Sequence, residues 1–160
     1  LPISSAAICI MLGIDGLAAG AATVGCCAQM VGFAVISYKD NGIGGFISQG
    51  LGTSMLQIGN IVRKPVIWLA PTLTAAILGP VSTVWLQMTN NALGAGMGTS
   101  GLVGPIATFA TMSEAGYETW PLVIKIICLY FIAPAVISIG IHLVMKKLGW
   151  IKAGDMKIGE

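Results

Sequence analysis

Gly50-Leu51-Gly52-Thr53-Ser54 and Gly96-Met97-Gly98-Thr99-Ser100 repeat one pentapeptide, Gly-x-Gly-Thr-Ser, at two places in the chain. Each copy lies in a glycine-rich, almost uncharged stretch, and each is followed by an apolar segment led by proline. In a polar chain two such runs would be turns. Here the surroundings are apolar enough for a bilayer, where non-helical backbone is tolerated only when it is buried in protein or lines a cavity. A pair of irregular segments at membrane depth, in matching positions of two halves, points to a solute-binding region.

The membrane reading rests on composition. Hydrophobic residues make up 56% of the chain, charged residues 9%, and the mean hydropathy is +0.89, whereas soluble domains carry about 25% charged side chains. No charge occurs between Lys64 and Glu114, and Asp15 is the only one from Ile3 to Ser37. The expected class is an all-α polytopic membrane protein with about four transmembrane helices and two re-entrant hairpins. The net charge of +2 carries no nucleic-acid signature, because the basic residues flank apolar segments instead of forming a stripe. Leu1 opens directly into apolar sequence without a basic n-region, so the start reads as a fragment boundary and not as a signal peptide. Residues 1–160 are therefore expected to form one membrane-embedded transport domain, part of a longer permease with helices ahead of it. Cys9, Cys26, Cys27 and Cys128 all fall in apolar runs without zinc-type spacing and read as small buried hydrophobes. No metal or cofactor is expected.

Residues 3–14 form a short apolar stretch ending at Gly13-Ile14-Asp15-Gly16. The uncharged run 16–37 has 22 residues, enough to cross a hydrocarbon core of about 30 Å. Its Gly16-x-x-x-Gly20 pattern lets helix backbones approach closely, so that half is expected to face protein, leaving Met30, Val31, Phe33, Val35 and Ile36 for lipid. Residues 43–62 are long enough to span but hold Gly44, Gly45, Ser48, Gln49, Gly50, Gly52, Thr53, Ser54, Gln57, Gly59 and Asn60. They read as a hairpin that dips in and returns. Pro65 suits the start of the next helix, which runs to residue 87, and Pro71 and Pro80 predict kinks in it. Residues 88–104 carry the second pentapeptide, with a return arm from Pro105 to Met112. The last helix runs from Trp120 to about Met145.

With both hairpins re-entrant, Lys39, Arg63, Lys64, Lys146, Lys147, Lys152 and Lys157 share one side, seven of the eight basic residues. By the positive-inside rule that side is cytoplasmic. The C-terminus then lies in the cytoplasm of a bacterial plasma-membrane protein, with Glu114 and Glu118 opposite. Were residues 43–62 to span, Lys39 would cross over and the count would fall to six. The same topology brings the hairpins in from opposite faces, as in an inverted repeat, although the motif-to-proline spacings differ.

The candidate substrate site is the pair of hairpin tips: Gln49, Gly52, Thr53, Ser54, Gln57 and Asn60 from one, and Asn90, Asn91, Gly98, Thr99 and Ser100 from the other. Neutral amides and hydroxyls suit a polyhydroxylated ligand such as a sugar, and glycines let the backbone approach it. The competing account is that these groups satisfy one another and the broken helix ends. Asp15 joins the candidates as an intramembrane carboxylate that could line the path, bind a coupling cation or fix a helix break; equally, it could cap the helix starting near Gly16. Lys125 reads as a snorkelling lysine paired with Glu118. His142 reads as interfacial, with no partner to make it a phosphoryl acceptor. Gly96-x-Gly98-x-x-Gly101 matches a dinucleotide fingerprint only in form, without a preceding strand. No catalytic residue is visible.

The runs Lys39-Asp40-Asn41-Gly42, Gln49-Gly50-Leu51-Gly52-Thr53-Ser54-Met55-Leu56-Gln57 and Gly94-Ala95-Gly96-Met97-Gly98-Thr99-Ser100-Gly101 resemble a bacterial family, the phosphotransferase-system (PTS) sugar permease enzyme IIC. One branch of it is named as a regulator of perfringolysin O. The resemblance covers most of residues 1–145 and implies that the chain is the C-terminal half of a permease. It also implies a sugar substrate and a cytoplasmic IIB phosphocarrier that performs the phosphoryl transfer. Better-understood enzyme IIC families hold the sugar with an acidic residue and a histidine, and neither hairpin here contains either. Two other readings stay open: an ion-coupled transporter of a small solute, and a membrane sensor that binds a ligand without moving it. A homo-oligomer is expected, because the Gly16–Gly25 face needs a partner helix, supplied by another protomer or by the rest of the permease.

Overall fold

A computed structural model of the chain describes residues 5–158, and among these residues it is all-helical. Among the described residues three helices are long and apolar enough to cross a membrane: Gly16–Ile36, Pro65–Trp85 and Thr119–Lys147. The expected number was about four. Among the described residues the apolar start contributes α1, Ser5–Met11, seven residues long.

The first spanning helix, α2 (Gly16–Ile36), is the axis of the molecule. Two clusters of buried side chains pack on it. One joins Val24 and Cys27 to Leu78, Met88, Met112, Leu122 and Tyr130; the other joins Phe33 and Ile36 to Ile67, Ala70, Met145, Ile151 and Met156. Met30, Val31, Phe33 and Ile36 are therefore buried and Val35 half-buried, not lipid-facing as expected. The reason is position: a central helix is covered on all sides, so an all-apolar sequence gives no sign of which face meets lipid. Close approach falls on Gly20, where a Cβ would sit 1.9 Å from the Met88 carbonyl oxygen.

After α2 the chain enters α3 (Tyr38–Ile47), broken at Gly42, whose φ of +62° suits glycine. A π turn (Ser48–Gly52), an extended Thr53 and a 3-10 turn (Ser54–Gln57) lead into α4 (Ile58–Arg63). Residues 43–62, the expected first hairpin, are thus a broken run of helical turns and do not form a continuous spanning helix. Pro65 opens the second span as a 3-10 turn, followed by α5 (Leu69–Pro80). Pro71 sits harmlessly in the first turn of α5, whereas Pro80 is followed by a π turn, Val81–Trp85, where the expected break occurs.

The segment expected as the second hairpin comprises α6 (Ala92–Met97), a 3-10 turn (Ser100–Leu102) and α7 (Val103–Glu114). The third span is α8 (Thr119–Ile127), a π turn (Cys128–Ile132) and α9 (Ala133–Lys147). Cys9 and Cys27 are buried and Cys26 is half-buried, but Cys128, in the π turn, is exposed. Lys125 does not pair with Glu118; its ammonium lies 5.9 Å from the centre of the Tyr117 ring, a cation–π contact.

Candidate functional site

Hairpin two enters at the start of α2. Gly16 and Asn90 exchange backbone hydrogen bonds of 3.0 and 3.1 Å, and Asn91 caps α6 by accepting from the Gly94 N–H at 2.9 Å. Asp15 is exposed, and its carboxylate accepts from the Ala92 N–H at 3.1 Å, so it stabilises the neighbouring helix start and not that of α2. Asn90 is buried; it donates to the Thr23 hydroxyl at 2.7 Å and the Gly104 carbonyl at 3.3 Å, and accepts from the Asn91 N–H at 2.8 Å. This one amide ties α2, α6 and α7 together.

Hairpin one approaches from the other end of α2. The Ser37 hydroxyl is bonded by the Gln49 amide at 2.7 Å, Gln57 donates to Gln49 at 2.9 Å, and Asn60 donates to Gln57 at 2.9 Å. This ladder of amides is closed by the segment after α9. Gln57 donates to the Met156 carbonyl at 3.0 Å, Asn60 to that of Lys157 at 2.9 Å and Asn41 to that of Met156 at 2.7 Å. In return Asp40 accepts from the Gly154 and Met156 N–H groups, Asn41 accepts from Ile158 N–H, and Lys64 forms a salt bridge with Asp155. Residues 148–158 therefore lie as a strap across the base of hairpin one, anchored by buried Ile151 and Met156.

The two pentapeptides meet. The Thr99 hydroxyl, fully buried, donates to the Gly50 carbonyl at 2.5 Å and contacts Met30 Sδ at 3.6 Å. Met30 lies fourteen residues along the helix from Gly16, about 21 Å at 1.5 Å per residue, so the meeting point is well inside the span. Close packing makes it possible: Gly98 has a φ of +54°, and a Cβ on it would lie 2.7 Å from Cys26 Cβ.

Of the sequence-derived candidates, Gln49, Gln57, Asn90 and Thr99 are fully or almost fully buried in these networks, with Gly98 packed among them. Gly52, Thr53 and Asn91 are exposed, and Ser54, Asn60 and Ser100 are half-buried. Thr53 caps its own turn by accepting from Met55 N–H at 3.2 Å. Ser54 lines a groove of about 410 Å³ together with Gln29, Phe33, Met55, Ile58, Ile61, Val62 and Trp68. Trp68 donates to Gln29, and Gln29 donates to Thr72, both at 3.2 Å. Sequence reasoning passed over Gln29, Trp68, Thr23, Ser37 and the clamp residues Asp40 and Asn41. Gln29 had a usable signal, since it is the only amide in an uncharged span. Among the described residues no group of three or more His, Cys, Asp or Glu could hold a metal ion.

Residues 1–158 match the family model described as phosphotransferase system, EIIC. The chain belongs to the PTS EIIC family. No curated protein and no solved structure matches it. Membership makes this EIIC chain a membrane component of a sugar permease of the plasma membrane, with a sugar as substrate and a cytoplasmic IIB protein as partner. The three spanning helices agree with that assignment.

Proposed function

We propose that the two hairpins are the solute-binding gate of this EIIC permease, re-entering the bilayer from opposite faces and moving a sugar between them by rigid-body displacement. The observation that carries the reading is the Thr99–Gly50 hydrogen bond of 2.5 Å, which joins the two repeated pentapeptides well inside the length of a spanning helix. Buried Asn90, Gln49 and Gln57 hold the arms in shape, leaving the less buried Ser54, Thr53, Ser100, Asn91 and Asn60 to face the solute. Ser54 opens onto the groove beside Trp68 and Gln29, whose ring and amide suit a sugar's apolar face and hydroxyls. Asp15 fixes the mouth of hairpin two. The basic end of the bundle, with the strap, faces the cytoplasm and the IIB partner.

The test is uptake of labelled sugars into vesicles holding the full-length protein and the phosphorelay proteins. Thr99→Val is expected to abolish uptake while the protein still inserts and folds, and Thr99→Ser to keep it. Full uptake by Thr99→Val overturns the gate reading. Uptake driven by a Na⁺ or H⁺ gradient without the phosphorelay proteins would replace phosphorylation coupling with ion coupling.

A further inference from the structure

At the end of the bundle that carries the strap, a small pocket of about 50 Å³ opens where four parts of the chain converge. Lys39 comes from α3, Lys146 and His142 from α9, and Lys152 from the strap, over an apolar floor that includes Ile36 and Ile151. A water needs roughly 10–15 Å³ of such space, so the pocket has room for one tetrahedral oxyanion.

Its lining is net positive, with three lysines against the single carboxylate of Asp40. None of the three lysines forms a salt bridge within the described residues, where the ion pair is Lys64–Asp155. The carboxylates nearby are committed: Asp40, which also lines the pocket, accepts from the Gly154 and Met156 N–H groups, and Asp155 accepts from Lys64 and from the Lys152 N–H. His142 adds a buried Nδ1 without a hydrogen-bond partner, and its imidazole lies within electrostatic reach of Lys39, Lys146 and Asp40. Three lysines from separate segments against one carboxylate leave a net positive charge around a cavity of this size, and low-dielectric walls concentrate its field.

We propose that this pocket is a phosphate-binding site, taking either the head-group phosphate of an anionic lipid or a soluble phosphate, and that the strap completes it by delivering Lys152. The site is distinct from the hairpin tips and does not depend on what they bind.

The experiment uses the full-length protein in nanodiscs. Inorganic phosphate is titrated calorimetrically into phosphatidylcholine discs, and retained phosphatidylglycerol is counted by native mass spectrometry after release from mixed discs. A lysine at a charged surface is worth about 1 kcal/mol toward an anionic head group, or about fivefold in affinity. Lys146→Gln with Lys152→Gln should therefore weaken binding more than tenfold, while Lys147→Gln, which is adjacent but outside the pocket, should change it less than twofold. Loss of phosphate binding identifies a soluble ligand, and loss of retained phosphatidylglycerol identifies a lipid; either supports the site. An equal loss in Lys147→Gln, or a wild-type protein that binds neither probe, overturns it. Lys152→Gln alone, on the exposed strap, makes the same comparison if the double variant does not fold.

Discussion

Thr99 donates its hydroxyl to the carbonyl of Gly50 at 2.5 Å, across 49 residues of sequence. The two residues occupy different places in their pentapeptides, the fourth and the first, so the repeats meet offset and not in register. The carbonyl of a π turn is exposed to partners that a regular helix would supply itself, and a threonine from the other hairpin supplies one here. Thr99→Val removes the donor at nearly constant volume and leaves that buried carbonyl unpaired, which costs about 1–3 kcal/mol. Thermal unfolding in detergent should show a clear drop for Thr99→Val and little change for Thr99→Ser. Equal midpoints for the two variants would mean that the hydroxyl contributes nothing.

Gly98→Ala should be among the most damaging single-methyl changes. It meets Cys26 Cβ at 2.7 Å and places a side chain on backbone with a φ of +54°. Overpacking and left-handed strain together cost about 2–4 kcal/mol. Gly140→Ala, with open space around its Cβ and ordinary helical backbone, is the control and should be neutral or slightly stabilising. Expression level and unfolding midpoint of the two variants make the comparison.

Asn90→Ala should loosen hairpin two as a unit, because its amide serves Thr23 on α2, the Gly104 carbonyl on α7 and the Asn91 N–H. Losing several bonds of a buried network costs about 2–4 kcal/mol. Hydrogen exchange should accelerate over residues 90–104 and stay unchanged over hairpin one. Acceleration spread evenly over the molecule would refute the view of Asn90 as a local tie.

The strap should release in acid. Burial works against ionisation of Asp155, but the Lys64 ammonium and the Lys152 N–H outweigh it and hold the carboxyl below its ordinary value of 3.8. Asp155 thus favours docking fully at pH above that value, and its contribution is lost as pH falls through the depressed value of the docked state. Amide exchange at Gly154, Met156 and Ile158, whose N–H groups are held by Asp40 and Asn41, should show less protection in Asp155→Asn at neutral pH. That variant should also lose part of the wild type's sensitivity to acid. Unchanged protection would show that Ile151 and Met156 hold the strap unaided.

Composition set the class, because long uncharged runs without the alternation of a barrel strand can satisfy their backbone in a membrane only as helices. It also located the three spans, from apolar runs of sufficient length, and the two broken segments, from glycine and amide content that no lipid-facing helix tolerates. Packing settled everything that depends on which face meets which neighbour. It covered the apolar half of α2, unpaired Lys125 from Glu118, exposed Cys128, turned most of the amides inward, and drew residues 148–158 back over hairpin one. Uniformly apolar helices carry no polar face to mark a direction, and an amide has the same composition whether it bonds a solute or a neighbouring chain. Only long-range packing distinguishes the two, and it is fixed by contacts such as Thr99 with Gly50 and Asp40 with Gly154, which no local pattern announces.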